Sequence, residues 1–488
     1  MSHTTTPLRG ISEIRAFFRT NQTPIYFVSP TAFNLLGIDR WVRNLFYVNY
    51  FDSFEGAHPR VFVPRDRPYR EFESMEDICN HLLGHEEVVA EVARRGPGGK
   101  AVFVMFDEET EALAAKAGLQ VALPSAELRH RLDSKIVTTR LGNEAGVPSA
   151  PNTLGFANGY NELLALADGA GLGHDLVVQT PYGDSGKTTY FIRERADWDR
   201  NASELVAEEL KVMKRINCAA AAVEAVLTRH GTIVGPVMRD LTGHPELTPH
   251  KGGWCGNDIF PEALSPAHRE RARVLTQQLG DRLASEGYRG FFEVDYLADL
   301  DTGELYLGEL NPRISGVTSM TNVTAGAYAD MPLFMFHLLE YLDVDYEIDV
   351  EEINQRWAQA SSVDVWSQLI VKQTDDAVEL INDAPRTGIW KLDDETGAVS
   401  FRRWANDWHS LQDESEAFYL RVLGPGDYRY KGADLGVIVT RSRLQDEDDR
   451  LTDRARTWID GINAQFDGTA LQADDEPPHH DALAFKSA

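Results

Sequence analysis

Cysteine, positive charge and long apolar runs are all scarce in this chain, and each scarcity excludes a class of protein. Three cysteines, Cys79, Cys218 and Cys255, lie far apart among 488 residues. They cannot build a disulfide scaffold, and no Cys-x-x-Cys spacing offers a zinc site. Lysine and arginine number 48 against 76 aspartates and glutamates, a formal net charge of -28. Such a surface repels a phosphodiester backbone, so no nucleic-acid partner is expected. No apolar run approaches the ~20 residues that a membrane-spanning helix needs. The segment Met331–Leu342 is short and holds His337 and Glu340, which makes it a core helix and leaves no membrane partner. The opening MSHTTTPLRG has no apolar signal core, so a cytoplasmic location is expected.

Two nucleotide motifs are also missing. No Gly-x-Gly-x-x-Gly follows a strand. The Lys-bearing loop Thr180-Pro181-Tyr182-Gly183-Asp184-Ser185-Gly186-Lys187-Thr188 has Pro181 where a Walker A loop needs its first Gly. A strand, Tyr190–Ile192, follows that loop in place of a helix, and a strand, Leu176–Gln179, precedes it. The loop glycines can still turn backbone N–H groups toward an anion, with Lys187 adding a point charge.

The densest signal is Phe291–Gly316, FFEVDYLADLDTGELYLGELNPRISG. Two apolar-patterned runs flank the turn signal Asp301-Thr302-Gly303, which predicts a β-hairpin. Alternation along strands puts Glu293 and Asp295 on one face of the first strand and Glu309, Asn311 and Arg313 on one face of the second. A hairpin centred near Thr302 sets Asp295 opposite Glu309. Opposed carboxylates about 5 Å apart repel, by roughly 3 kcal/mol at an effective dielectric of about 20. A divalent cation between them reverses the sign, and Asp, Glu and Asn oxygens suit magnesium.

These residues resemble a family. Asp295 with Glu309-x-Asn311-Pro312-Arg313-x-Ser315-Gly316 is similar to the metal-binding hairpin of ATP-grasp ligases, particularly their biotin-carboxylase-like branch. The resemblance implies an α/β and α+β multidomain fold: an N-terminal open α/β domain (1-125), an ATP-grasp domain (126-342) and a β-rich C-terminal domain (343-470). The polar run after it is expected from its composition to be a disordered tail (471-488). The resemblance also implies ATP and Mg2+, or Mn2+ in its place, as cofactors, with Asp295, Glu309 and Asn311 as metal ligands. Arg313 would place the substrate or steady an acyl-phosphate. Lys135, in the run Leu132-Asp133-Ser134-Lys135 ahead of a helix and Ala145-Gly146-Val147-Pro148, would reach the phosphates.

The strand-loop-strand around Gly183, Ser185, Gly186 and Lys187 resembles the lid that closes over ATP. Family members commonly carry a second ATP-contacting Lys at the end of the first lid strand, where this chain has Gln179. Lys214 to Ile216 fall where the adenine-contacting linker should be. Lys251, beside His250 in the Gly-rich loop Thr248–Asn257, is placed to meet a phosphate or carboxylate, although a loop Lys is as readily a solvated charge. Cys255 in that loop reads as an inert thiol. The basic segment His58–Arg70 is either a substrate-side patch or a loop with an edge strand.

Strands are expected at Pro24–Ser29, Ala101–Phe106 and Gln120–Leu123 in the first domain, and at Ser367–Lys372, Gly388–Leu392, Phe418–Leu423 and Leu435–Thr440 in the last. Helices are expected at Pro266–Glu286 and Asp446–Gln465. The activity implied is ADP-forming activation of a small-molecule carboxylate, then transfer to an amine to form an amide or peptide bond. A homodimer is compatible with the family. Two alternatives stand beside this reading: bicarbonate activation of the biotin-carboxylase type, and an ATP-binding protein without chemistry. Small residues at Ser315 and Gly316 are expected to leave room for a bulky carboxylate beside Arg313.

Overall fold

In the computed structural model the described residues are 6–65, 72–183, 188–249, 252–324, 331–360 and 365–471. The first of four main layers is a five-stranded parallel sheet. Its order is Val61–Phe62, Leu45–Asn49, Ile25–Ser29, Gly99–Val102, Leu119–Val121. Ile25–Ser29 and Leu45–Asn49 are buried along their whole length. Strands covered on both faces read as continuous apolar runs without alternation. Helices Met75–Gly84 and Glu108–Lys116 begin at side-chain caps, Ser74 and Asp107, that satisfy otherwise unpaired N–H groups. Val61–Phe62 is the edge strand of this sheet, which settles the described part of the basic segment as loop and edge strand. Residues 66–70 of that segment lie outside the described residues.

A four-stranded antiparallel sheet follows, in the order Asn152–Gly155, Leu210–Lys214, Leu176–Gln179, Thr189–Ile192. It has its own small core, with Leu163, Leu176, Trp198 and Val212 fully or almost fully buried. Its last two strands are the expected lid strands.

The largest layer is a ten-stranded antiparallel sheet. Its order is Leu305–Asn311, Gly290–Asp299, Cys218–Thr228, Gly231–Thr242, Trp254–Ile259, Trp366–Lys372, Asp434–Thr440, Glu416–Arg421, Gly388–Leu392, Val399–Arg403. The C-terminal strands lie close to their expected positions, but they continue the central sheet. Trp366–Lys372 pairs directly with Trp254–Ile259, from Ile259 opposite Trp366 to Gly256 opposite Leu369. Helix Pro266–Ser285 packs on this sheet, with the Thr276 and Tyr296 hydroxyls 2.9 Å apart. Helix Phe334–Tyr341 is buried at every residue. There His337 accepts from the Phe291 N–H at 3.0 Å and lies 2.7 Å from the Ala122 carbonyl, tying the first layer to the third. A smaller three-stranded sheet, Tyr428–Arg429, Glu379–Asp383 and Asp467–Ala470, completes the C-terminal region.

The final helix starts later than the sequence pattern suggests, at Asp453. Asp446 instead closes a loop, its Oδ1 accepting from the N–H groups of Asp448 and Arg450 at 2.9 and 3.0 Å. Thr452 then caps the helix by accepting from the Ala455 N–H. Short polar side chains that bond the local backbone compete with helix in this way. Among the described residues no helix is long and apolar enough to cross a membrane.

Candidate active site

The acidic hairpin forms as its pattern requires. Asp299 Oδ1 accepts from the Asp301 and Thr302 N–H groups at 2.9 and 3.2 Å, and Gly303 takes the left-handed conformation the turn needs (φ 76). The register that results pairs Asp295 with Glu309 and Glu293 with Asn311. Between Asp295 and Tyr296 the register slips by one residue, so Gly308 is the extra residue of a β-bulge. Bulges next to sites re-aim side chains. A Cβ at Gly308 would lie 3.2 Å from the Asp295 carbonyl, so the residue type is part of the geometry.

The polar groups form a connected chain. Asn311 Nδ2 donates to Glu293 Oε2 at 2.8 Å and lies 3.5 Å from Asp295 Oδ2. Arg313 Nη2 donates to Asn311 Oδ1 at 2.9 Å, and its Nε lies 3.5 Å from Asp133 Oδ1. Lys135 opens its helix behind the Ser134 cap and is almost completely buried. Its Nζ donates to Glu309 Oε1 at 2.6 Å and to the Gly183 carbonyl at 2.7 Å, joining lid and hairpin. A lysine at a helix start is commonly solvated; this one is an interior charge.

Burial pushes the Asp295 carboxyl well above the usual carboxylate range, with Glu293 and Glu309 adding to the rise and Lys135 opposing it. Burial also raises Glu293, and Asp240 adds to that rise. Asp240, at the cavity wall, is raised by burial and by Asp295, while it accepts from Asn257 Nδ2 at 2.7 Å. Carboxyls crowded in this way bind protons when no cation is present. The donor set fits a hard divalent ion: Asp, Glu and Asn oxygens on adjacent strands, facing an open cavity. Among the described residues no three His, Cys, Asp or Glu side chains already converge as a closed cage. Phosphate oxygens and water would therefore have to complete the shell.

The cavity has a volume of about 780 Å³, within the range of nucleotide and small-ligand clefts. Its lining is mixed: apolar Ala150, Val177, Phe191, Met213, Ile216 and Leu297 share it with the hairpin acids and Arg313. Gln179, Lys214 and Ile216 all line it, as do Asp295, Glu309, Asn311 and Arg313. The structure thus gathers these seven residues around one space. Gly183 joins them through Lys135. Ser185, Gly186, Lys187 and Lys251 lie outside the described residues, as does His250.

Ser315 and Gly316 line the cavity beside Arg313. On its Cβ side Gly316 packs against the Trp254 ring, where a Cβ would meet Trp254 Cη2 at 2.6 Å. Trp254 Nε1 donates to Asn257 Oδ1 at 3.1 Å, and Gln368 Nε2 donates to Asn257 Oδ1 at 3.2 Å and to the Gly316 carbonyl at 3.0 Å. A C-terminal strand therefore braces the wall. The N-terminal layer reaches the same wall, with Asn34 Nδ2 donating to the Ser315 carbonyl at 2.7 Å. The Cys255 thiol is buried and pushed up to about 11 by that burial, as an inert thiol should be.

Sequence reasoning missed Asp240 and Trp254, which line the cavity, and Lys211, whose Nζ donates to the Gly308 carbonyl. Asp240 and Trp254 come from strands that only sheet order brings beside the hairpin. Lys211 carried a usable signal, a charge within an apolar strand pattern, and it is discussed below.

No family model matches the chain. Solved structures do match. The N5-carboxyaminoimidazole synthase from Aspergillus clavatus, in complex with ADP and 5-aminoimidazole ribonucleotide, gives a TM-score of 0.54 at 14% identity, covering 91% of this chain and 99% of that one. The biotin carboxylase domain dimer of the Hydrogenobacter thermophilus 2-oxoglutarate carboxylase, with MgADP, ADP and bicarbonate, gives 0.59 at 13% identity over 92% and 91%. The biotin carboxylase–β,γ-ATP complex from Campylobacter jejuni gives 0.60 at 12% identity over 91% and 92%. At these identities the likeness is one of fold.

Proposed function

The chain has the ATP-grasp fold in its biotin-carboxylase-like form, and from that premise we propose that it is an ADP-forming carboxylate–amine ligase. The observation that carries this reading is the pairing of Asp295 with Glu309, beside Glu293 and Asn311, on the wall of a cavity that apolar side chains also line. That mixed lining suits a nucleotide with its base against Val177, Phe191, Met213 and Leu297 and its phosphates toward the hairpin.

On this reading Asp295, Glu309 and Asn311 would hold magnesium, with manganese as a substitute. The ion would neutralise charge on the outer phosphates. Lys135 and the lid residues Gly183, Ser185, Gly186 and Lys187 would gather the phosphates, and Gln179, Lys214 and Ile216 would contact the nucleotide. Arg313 and Lys251 would orient the substrate carboxylate. A carboxylate oxygen bonds to the γ-phosphorus as the bond from that phosphorus to the β,γ-bridging oxygen breaks, and ADP leaves. The amine nitrogen then attacks the acyl carbon of the acyl-phosphate, phosphate departs, and the amine proton passes to solvent. The protein's contribution is positioning and charge neutralisation, with the buried acids and lysines held in place beforehand. The proposed division is 1-125, 126-342 and 343-470, with the last region bracing the substrate wall through Gln368.

The test is turnover with MgATP against pooled amino acids and other small carboxylates and amines, measured as phosphate release. Release that requires both a carboxylate and an amine supports the proposal. Release that requires only bicarbonate and free biotin would replace it with the carboxylase reading, and failure to bind MgATP at all would end both.

A further inference from the structure

Folding alone does not account for the placement of Lys211. It lies in the strand Leu210–Lys214 and is 1% exposed. Its Cα partner on the neighbouring strand is Gln179. Directly opposed residues of an antiparallel pair project to the same face. Gln179 lines the cavity, and so does Met213, two residues along the same strand as Lys211. Lys211 therefore stands on the cavity face of the lid sheet, beside an uncharged side chain whose Oε1 is buried with no partner among the described residues.

The Lys211 ammonium reaches across to the acidic hairpin. Its Nζ donates to the Gly308 carbonyl at 3.1 Å. Gly308 is the bulge residue next to Glu309, so this bond fixes the point at which the strand re-aims Glu309. An ammonium has three donors, and among the described residues the Gly308 carbonyl is the one acceptor it meets. Burial pushes its pKa down to about 8, with Glu309 opposing the fall and the Lys135 charge adding to it. Removing a charge from water costs several kcal/mol, and an apolar side chain of similar volume commonly serves stability better. A neutral donor would satisfy Gly308 equally well. What the lysine adds is charge.

We propose that Lys211 is a positioning residue that fixes the Gly308 bulge and supplies, one strand away from Gln179, the second buried positive charge at the phosphate end of the cavity. Lys135 supplies the first. This inference rests on the nucleotide reading of the site.

The test uses isothermal titration of the full chain with adenosine and with MgADP. Lys211→Gln keeps a donor for Gly308 and removes the charge. MgADP affinity should fall about 10-fold or more, as expected for loss of a charge-assisted contact, with adenosine affinity unchanged. The double variant Gln179→Lys/Lys211→Gln returns the charge from across the strand and should recover most of the loss. If wild type binds MgADP and Lys211→Gln binds it equally well, or loses adenosine and MgADP in equal proportion, Lys211 is structural and the inference fails while the nucleotide reading stands. If wild type binds neither, the nucleotide reading fails and takes this inference with it. Should Lys211→Gln not fold, Gln179→Lys in the native background decides: tighter MgADP binding supports a site short of positive charge, and unchanged binding overturns it.

Discussion

Asp295 and Glu309 sit directly opposite each other on adjacent strands, with the Lys135 ammonium bonded to the second of them at 2.6 Å. Two half-buried carboxylates in register repel in the absence of a cation, and the buried Glu293 on the same strand as Asp295 adds to the repulsion. On the proposed reading the pair is a cation site whose occupant arrives with phosphate.

Removing one charge from the pair while keeping its shape separates folding from function. Glu309→Gln should leave the unfolding temperature within a few degrees of wild type. MgATP-dependent phosphate release should fall by about 100-fold or more, since a ligand to the ion is lost. Near-normal turnover in a folded Glu309→Gln protein would show that the ion is held elsewhere.

The wall formed by Gly316 and Trp254 makes a second prediction. Gly316→Ala puts a methyl 2.6 Å from Trp254 Cη2, so the indole must move and its bond to Asn257 is lost. Overpacking of this kind costs roughly 1–3 kcal/mol. Stability measured by urea denaturation should fall by that amount, turnover should fall with it, and Gly316→Ala/Trp254→Phe should recover part of the stability. A Gly316→Ala protein as stable as wild type would mean that the wall is loose.

Glu224 supplies a pH dependence. It is fully buried, Thr321 Oγ1 donates to it at 2.7 Å, and burial raises its pKa from 4.5 to about 8. The folded state therefore binds a proton that the unfolded chain releases at neutral pH. Its contribution to stability is complete below the unfolded pKa and is lost as pH rises toward the folded value. At neutral pH the cost is roughly 3 kcal/mol. Glu224→Gln removes this ionisation, so the variant's stability advantage over wild type should grow between about pH 5 and pH 8. Denaturation curves that stay parallel across that window would contradict the assignment.

How much of this was legible in the sequence depended on whether a feature was local. The hairpin register followed from alternation and from the Asp-Thr-Gly turn, so Asp295 opposite Glu309 could be read directly. The lid strands on either side of Gly183 were legible for the same reason, and the family resemblance supplied Lys135, Lys214 and Ile216 residue by residue. Contacts set by sheet order were not legible. Nothing near Gly316 in the sequence announces Trp254, which arrives from a strand more than 50 residues earlier. The short strands Val399–Arg403 and Asp467–Ala470, at sheet edges and largely exposed, have too little apolar pattern to stand out. Lys211 stood out as a charge within an apolar strand pattern, but only the pairing with Gln179 shows which face it takes.

The central claim is that the carboxylates bridge the outer phosphates, so that the γ-phosphoryl group is the one transferred. Nucleotide products of complete turnover, separated and quantified, test it most directly. The account predicts ADP and inorganic phosphate in equal amounts, formed only with a divalent ion and both substrates. AMP and pyrophosphate as the stoichiometric products would contradict it.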